Sequence, residues 1–268
     1  MIKLCRYRII QFTKRINIWC QKVLSSRSEE TIMIRFWGQP KFLLYPLQPI
    51  GYELFLREKV TNGWVLPTDF KRFPAQQIAE LLVRTTSQFA AKFKNISINL
   101  NPEQFVDSDF CNALQSTKEQ LLPVTLTVEL TEHNSPTLVT ESQIYEAAKH
   151  FSACGIDLII DDVGFGNNQL KRIQSLDPFI QEYKFGMQNF RTNKVLDKLI
   201  PQLIFWNEQA QKNHKLFTVG GIESKDDLLL LSDCKVDMLQ GFALGHPVYL
   251  PTSDDRTATT VLPFNKAN

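Results

Sequence analysis

The sequence has little of what marks several large classes of protein. Only five cysteines and four histidines occur in 268 residues, and none of them forms a CxxC or an HxxxH pair. Scattered cysteines of odd number are typical of thiols in a reducing compartment, so we expect a cytoplasmic protein with neither a disulfide framework nor a histidine-bound metal. Its apolar runs are well below the roughly 20 residues of a membrane-spanning helix, so we expect no integral membrane span.

The sequence also lacks an excess of charge of either sign. Lysine and arginine number 30, aspartate and glutamate number 28, and the formal net charge is +2. A balanced chain of this kind favours neither a nucleic acid polymer nor a membrane surface as its partner. With 43% hydrophobic residues, the chain is long enough to fold into one barrel-sized domain with short extensions.

Both ends of the chain differ from its middle. Residues 1–32 mix basic and apolar side chains, a pattern typical of an amphipathic helix on anionic lipid or of a poorly ordered extension. We favour the second interpretation, in which the extension is disordered or is upstream sequence read from a wrong start, because Met33 opens a far more domain-like stretch. Residues 33–251 are predicted to form the domain, and residues 252–268 a loose polar tail.

Strand and helix patterns alternate along the domain. Residues 74–93 carry apolar side chains spaced for one buried helix face, whereas residues 95–101 alternate as a strand. About seven such alternations predict an α/β fold with a parallel sheet, and a TIM-like (βα)8 barrel is its most economical closed form at this length. At the start of the domain, two short strands, Ile34–Trp37 and Phe42–Tyr45, are predicted around a turn at Gly38–Pro40.

The stretch from Ile156 to Gly166 is the centre of the predicted site. Apolar residues run straight into Asp161 and Asp162 and a glycine-containing turn, which is typical of a buried parallel strand. The carboxyl ends of such strands are where α/β folds build their sites. Taken alone, the pair also fits an aspartate that caps the next helix, but the other strand ends favour a site.

Other predicted strands end in, or carry, polar groups of the same chemical kind. Carboxylate and amide oxygens are the ligands that Mg²⁺ and Mn²⁺ prefer, and two such ions about 4 Å apart can hold the attacking and leaving oxygens of a phosphodiester. Arg57 lies four residues after Glu53 on the same side of a strand, where it can pair with phosphate. Lys184 and Gln240 arrive on later strands. The predicted oxygen donors are Glu53, Asn99, Glu129, Asp161 and Asp162.

Five motifs in this order resemble those of the EAL domain, the cyclic di-GMP phosphodiesterase family, over about residues 34–250. Glu53-Leu-Phe-Leu-Arg57 resembles the signature Glu-Ala-Leu-x-Arg, and Asn99-Leu-Asn101 resembles Asn-Leu-Ser. Glu129-Leu-Thr-Glu132 matches its motif outright, and Asp161-Asp-Val-Gly-Phe-Gly166 resembles Asp-Asp-Phe-Gly-Thr-Gly. Gln240-Gly-Phe242 with Pro247 resembles the closing motif. The resemblance implies a barrel of the EAL type in a bacterial signalling protein.

The resemblance also implies roles for these residues. Glu53, Asn99, Glu129 and Asp161 are expected to hold one Mg²⁺ or Mn²⁺, and Asp162 to contribute to a second. Arg57, Asp162 and Gln240 are expected to hold the nucleotide. Lys184, Glu223 and Gln240 are the expected catalytic residues. A homodimer is common in the resembled family and is a further expectation.

Two departures from the family pattern bear on catalysis. Gly220 stands where the family has a glutamate of the second metal site, and Gly186 stands where the Lys-Ile-Asp motif has its aspartate. Asp162 alone should hold a second cation weakly, and without that cation the attacking water keeps a high pKa and turnover falls. One ion, or none, is then expected to bind. In addition, Asn167 and Asn168 replace the expected Tyr-Ser of a loop that shapes the active site.

Three functions remain open on this evidence. We favour a degenerate EAL domain that acts as a non-catalytic regulator, through a protein partner or as a receptor for cyclic di-GMP. The second is an active metal-dependent phosphodiesterase that cleaves cyclic di-GMP to the linear dinucleotide pGpG. The third is a phosphodiesterase for another substrate, because Leu54-Phe55 and residues 165–167 alter the pocket walls.

Overall fold

The computed structural model describes residues 32–89, 94–133, 138–192, 196–231 and 234–255. The predicted N-terminal extension, apart from Ile32, and residues 256–268 of the predicted tail lie outside these ranges. The chain divides into two compact units. The larger is built from Arg35–Arg57 and the described residues from Leu66 onwards, and the smaller contains Ile34 and Glu58–Val65.

Polar and apolar side chains alternate along several strands, and the polar side chains can be as buried as the apolar ones. In the strand at 125–130, for example, Leu126, Val128 and Leu130 alternate with Thr127 and Glu129, and all five are buried. The strands are β1 Ile34–Leu43, β2 Gln48–Val60, β3 Gly63–Val65, β4 Asn95–Leu100, β5 Thr125–Leu130, β6 Asp157–Ile160, β7 Ile180–Gly186, β8 Leu216–Gly220, β9 Met238–Leu239 and β10 Val248–Leu250.

Eight of these strands close the barrel. Their order is β1-β9-β8-β7-β6-β5-β4-β2, and a pairing between β1 and β2 completes the ring. The neighbours from β2 round to β9 are parallel, whereas β1 is antiparallel to β9 and to the outer strand β10. The predicted TIM-like barrel is therefore confirmed, with the correction that one strand runs against the others.

The first strand also corrects a second prediction. Instead of two short strands around a turn at Gly38–Pro40, β1 is one strand of ten residues. Gly38 pairs with Val248 in the middle of that strand. A Cβ added at Gly38 would lie 2.9 Å from side-chain atoms of both Tyr52 and Leu250, so close packing rather than a turn explains the glycine.

Helices cover the outside of the barrel, and several begin at side-chain caps. Asn101, Thr140 and Ser224 each form a capping box with the residue three positions later, which satisfies amide groups at the helix start. The helices are α1 Ala75–Phe89, α2 Pro102–Val106, α3 Ser108–Lys118, α4 Glu141–Ala153, α5 Leu170–Leu176, α6 Met187–Thr192, α7 Leu199–Lys212 and α8 Lys225–Leu229, with single 3₁₀ turns at Phe70–Arg72, Glu119–Leu121, Asp177–Phe179 and Leu196–Lys198. None of the described helices combines the length and apolar character needed to cross a bilayer.

The smaller unit contains a hairpin. Glu58, Lys59 and Val60 at the end of β2 pair antiparallel with β3, and Gly63 supplies the positive φ of the turn, 139°. The Lys59 ammonium lies 5.2 Å from the ring centre of Trp64, a cation–π contact. All of the predicted site residues lie in the larger unit.

The start of the predicted tail is not loose. Buried Arg35 on β1 donates from Nε and Nη2 to the two carboxylate oxygens of Asp255, at 2.8 and 2.9 Å. Asp255 also accepts from the Thr252 amide at 2.8 Å, and Arg84 pairs with Asp254 at 2.6 Å. The expectation of a loose segment is therefore wrong for residues 252–255, because charged side chains fix them to the barrel.

We predict that Asp255→Asn destabilises the protein by about 1–2 kcal/mol, because it removes the ionic contact between Asp255 and the buried Arg35 guanidinium. Urea unfolding at pH 7 measures this loss. The control is Asp254→Asn, whose partner Arg84 is 42% exposed; such surface pairs contribute little, about 0.5 kcal/mol or less. Equal losses in the two variants would contradict the prediction.

The contribution of the Arg35–Asp255 contact to stability should fall as the pH is lowered. Hydrogen bonds from Arg35 lower the pKa of Asp255 below its usual value. A carboxyl group whose pKa is lowered by folding stabilises the protein fully above its unfolded pKa, about 4, and loses that contribution as the pH falls towards the folded pKa. The gap in stability between the wild type and Asp255→Asn should therefore shrink below about pH 4.

Candidate functional site

Lys184 on β7 lies at the centre of an acidic cluster at the barrel mouth. Its ammonium nitrogen donates to Glu53 Oε2 and to Glu129 Oε2, both at 2.7 Å, and lies 3.4 Å from Asp161 Oδ1. Burial alone would lower the pKa of Lys184, but the adjacent carboxylates raise it well above its usual value. Lys184 is therefore a charged group that joins three carboxylates, one on β2, one on β5 and one directly after β6.

A second buried lysine, Lys41 on β1, was missed by the sequence analysis. Its ammonium donates to Glu129 Oε1 at 2.6 Å, and its side chain is only 2% exposed. Burial opposes the charge, but Glu129 and Glu182 raise the Lys41 pKa. The misplaced turn at Gly38–Pro40 hid Lys41, although a lone lysine inside an apolar strand is a recognisable sign of a buried ion pair.

Glu129 receives hydrogen bonds on both oxygens. Oε1 accepts from Lys41 and from the Ser97 hydroxyl, and Oε2 accepts from Lys184. Although burial raises the pKa of Glu129, the two ammonium groups outweigh it and lower the pKa to about 2. Glu129 is therefore ionised at neutral pH, and its charge is already compensated by the protein.

The register of the sheet brings Glu53 and Asn99 to this cluster. Asn99 on β4 lies beside Glu129 on β5, and Glu53 on β2 lies beside Ser97 on β4. Asn99 Nδ2 donates to Glu53 Oε1 at 2.6 Å. The structure thus brings together four predicted ligands, Glu53, Asn99, Glu129 and Asp161.

Asp161 is held in place by a residue that replaces the family motif. The Asn168 side chain is fully buried and donates from Nδ2 to the carbonyl of Asp161 at 2.6 Å and to that of Leu130 at 3.0 Å. It therefore ties the end of β5 to the end of β6. Asn168, which stands where the family motif has serine, therefore supports the acidic cluster.

Asp162 takes a left-handed backbone conformation, with φ of 47°, and its carboxylate turns towards α6. Oδ1 accepts from Gln188 Nε2 at 3.3 Å. A Cβ added at Gly186 would lie 2.0 Å from that same Oδ1. The Asp162 carboxylate therefore occupies the space that a side chain at residue 186 would need.

Gly220 differs from Gly186 in this respect. A Cβ added at Gly220 would meet no atom closer than 3.8 Å, the nearest being Lys184 Cε and the Phe185 carbonyl oxygen. There is open space at the end of β8 where the family pattern has a glutamate.

The donor chemistry at the barrel mouth suits a divalent cation in two overlapping clusters. One oxygen each of Glu53, Glu129 and Asp161 lie within 4.8 Å of one another, and the same holds for Glu132, Asp161 and Asp162. Such carboxylate groups are hard ligands of the kind that Mg²⁺ or Mn²⁺ prefers. Glu132 was not expected to be a ligand, although it closes the motif that begins at Glu129.

The two clusters differ in the cationic side chains that already lie beside their carboxylates. In the first, Lys184 and Lys41 occupy carboxylate oxygens, so a cation there must displace the Lys184 ammonium. In the second, Lys184 approaches Asp161 only to 3.4 Å, and Glu132 lies 3.1 Å from His133. The second cluster therefore fits a divalent cation as it stands, whereas the first fits one only after Lys184 moves, which differs from the sequence-based expectation.

Two open cavities flank the acidic cluster and share Glu53, Phe55 and Asp161 in their walls. One, of about 250 Å³, adds Lys184, Gly220, Glu223, Gln240 and Phe242. The other, of about 360 Å³, adds Asn99, Asn101, Glu132, His133 and Asp162. Phe55, at the third position of the signature, stands between them.

Unsatisfied amide oxygens point to a ligand in the smaller cavity. Oε1 of Gln240 and Oε1 of Gln188 are buried without a hydrogen-bond donor among the described residues, and both residues line that cavity. Gln240 Nε2 donates to Gln39 at 3.3 Å. A buried acceptor without a donor is unfavourable, so these oxygens are suited to receive donors from a bound molecule. Gln240 was predicted, whereas Gln188 was missed.

The remaining predicted residues lie at the edge of the site. Glu223 is half-exposed in the wall of the smaller cavity, 3.6 Å from an Arg191 nitrogen. Arg57 is half-buried on β2, two residues beyond Phe55. Their expected roles in catalysis and nucleotide binding stay predictions.

Comparison with known proteins agrees with this architecture. No curated protein sequence matches the chain. An EAL domain protein from Listeria monocytogenes EGD-e has 22% identity over 80% of this chain and 88% of that one, with a TM-score of 0.64. The PaMucR phosphodiesterase in complex with c-di-GMP has 21% identity over 80% and 92%, with a TM-score of 0.65.

A third solved structure is the Bacillus subtilis YkuI protein, with an EAL domain, in complex with c-di-GMP and calcium. It has 18% identity over 85% of this chain and 57% of that one, with a TM-score of 0.64. At these identities, the likeness shows the fold. The sequence model of the EAL domain, however, matches residues 33–247, and the chain therefore belongs to the EAL domain family.

Proposed function

We propose that this protein is a cyclic di-GMP receptor of the EAL family in which hydrolysis is impaired. The observation that carries the proposal is that each carboxylate oxygen of Glu129 accepts a hydrogen bond from a lysine ammonium group, one from Lys41 at 2.6 Å and the other from Lys184 at 2.7 Å. Carboxylates that a catalytic cation needs are thereby bound to ammonium groups of the protein itself. The few cysteines favour action in the cytoplasm.

The second support is the open end of β8. A divalent cation, when bound, neutralises phosphate charge and lowers the pKa of an attacking water. Gly220 offers no carboxylate for holding a second cation, and Gly186 is closed by Asp162. Binding of a single Mg²⁺ or Mn²⁺ by Glu132, Asp161 and Asp162 is compatible with this arrangement and would favour nucleotide binding over turnover.

The cavities support binding of a dinucleotide. Their combined walls contain the aromatic side chains of Phe55 and Phe242, and bases can stack on rings of this kind. The unsatisfied amide oxygens of Gln188 and Gln240 can accept N–H groups of a purine base. Arg57, two residues beyond Phe55 on the same face of β2, is the cationic group suited to the phosphates, because Lys184 is already held by three carboxylates.

The alternative is an active phosphodiesterase that produces pGpG. It is favoured by the second acidic cluster, in which Glu132 adds a third carboxylate to Asp161 and Asp162 and could compensate for Gly220. A third outcome is a barrel that binds a protein partner or a second copy of itself without nucleotide.

We predict that cyclic di-GMP binds to the full chain in the presence of Mg²⁺ or Mn²⁺ and is recovered intact. Calorimetric titration followed by chromatography of the nucleotide measures both properties. Conversion of cyclic di-GMP to pGpG by the wild type would overturn the proposal that hydrolysis is impaired. The absence of both heat and conversion would contradict nucleotide binding and favour a protein-binding scaffold.

We predict that Gly220→Glu increases hydrolysis at least about tenfold, because the new carboxylate enters open space beside Lys184 and restores a cation ligand. The release of pGpG with Mn²⁺ is the measurement. Gly220→Gln, of equal size and without charge, is the matched control. Equal gains in both variants, or a gain in neither, would show that the missing carboxylate is not what limits turnover.

We predict that Lys41→Met destabilises the protein by about 3 kcal/mol without added metal, because it leaves a buried carboxylate partly uncompensated. Mn²⁺ should then raise the melting temperature of the variant more than that of the wild type, since Glu129 Oε1 no longer has an ammonium group that competes with a cation. Thermal unfolding with and without Mn²⁺ measures both effects.

Ser97→Ala is the control for this change, because it removes a hydrogen bond from the same oxygen of Glu129 without removing a charge. It should leave the response to Mn²⁺ close to that of the wild type. A response of Lys41→Met no larger than that of Ser97→Ala would mean that Lys41 does not compete with a cation.

A further inference from the structure

Three side chains with soft ligand atoms meet on the outer helical layer, outside the barrel mouth. Cys111 lies on α3, His150 on α4 and Cys154 directly after α4. The two sulfur atoms are 3.5 Å apart, and one nitrogen of His150 lies within 4.8 Å of both. The cluster has no part in the site described above.

The spacing of the three ligand atoms resembles that of a metal site. Two sulfur atoms bound to one tetrahedral zinc at about 2.3 Å are about 3.8 Å apart, close to the observed separation. His150 and Cys154 are four residues apart, which places them on one face of α4. Cys111 is contributed by the neighbouring helix, so the cluster is set by tertiary packing.

The surroundings provide access and a candidate fourth ligand. Cys111 is buried, Cys154 is half-buried and His150 is exposed, so an ion can enter from solvent on the histidine side. Cys111, His150 and Glu146 line one cavity of about 240 Å³. A water molecule from this cavity can complete a tetrahedron.

We propose that Cys111, His150 and Cys154 bind a single zinc-class divalent cation between α3 and α4. Thiolate and imidazole ligands select such borderline cations over Mg²⁺, which prefers the carboxylates of the barrel mouth. The chain would therefore carry two metal sites of different chemistry, and this second site does not depend on the proposed function of the first.

The position of the cluster indicates a structural role. Cys154 is followed by Gly155 and Ile156, and then by β6, which leads to Asp161. The Lys118 ammonium at the end of α3 already donates to the carbonyl of Gly155. A cation shared by Cys111 and Cys154 would add a second link between α3 and the start of β6, and so stabilise the fold.

Co²⁺ is a suitable spectroscopic probe, because its thiolate complexes absorb in the near ultraviolet. We expect the reduced, metal-free full chain to bind one equivalent of Co²⁺ with thiolate charge-transfer bands, and Zn²⁺ to displace it and raise the melting temperature. The combined variant Cys5→Ser, Cys20→Ser and Cys234→Ser, which keeps only Cys111 and Cys154, should retain these properties.

Adding Cys154→Ser to that variant should abolish the bands, and His150→Ala should weaken Co²⁺ binding at least about tenfold. Because Cys154 is half-buried, its replacement can disturb the fold. Circular dichroism verifies that this variant is folded. The proposal is overturned if no thiolate band forms, or if the band survives Cys154→Ser. It is also overturned if the bands disappear when only the other three cysteines are changed, or if the protein resists reduction as a Cys111–Cys154 disulfide.

Discussion

The ionised carboxylate of Glu129, buried inside the barrel, is the constraint on which the rest of the site depends. A charge removed from water is costly unless it is paired and fully hydrogen-bonded. Lys41 from β1 and Lys184 from β7 satisfy it from two sides. The ion pairs therefore connect three strands across the lumen, and β1 must run unbroken through Gly38 to deliver its lysine.

This network limits how strongly the barrel mouth can attract a metal ion. A cation and an ammonium group compete for the same oxygens, and a buried lysine is held by the desolvation cost of leaving its partner unpaired. Asp161 belongs to both acidic clusters, so a cation in the second cluster also draws on a carboxylate that lies 3.4 Å from the Lys184 ammonium. A cation in either cluster would consequently affect the ion pairs of Lys184, because both clusters share Asp161.

The sequence predicted well what depends on local pattern and poorly what depends on pairing between distant segments. Carboxylates at the ends of parallel strands were expected to meet, because such ends share one edge of a sheet. Lys41 was missed because the composition of Gly38–Pro40 resembles a turn, and only the pairing of β1 with β9 and β10 fixes that strand. Glu132 and Gln188 were missed because neither lies on a strand whose period of two could place it; Glu132 is in the loop after β5, and Gln188 is on α6.

The two glycines that depart from the family pattern are not equivalent. At Gly186, the Asp162 carboxylate fills the missing side chain's place, so restoring an aspartate requires Asp162 to move. At Gly220 the space is open and forms part of the wall of the smaller cavity. The first substitution is therefore built into the packing of the site, whereas the second enlarges the cavity beside Lys184. Gly220 therefore adds volume to the cavity beside Lys184 without adding a carboxylate to it, whereas Gly186 adds neither.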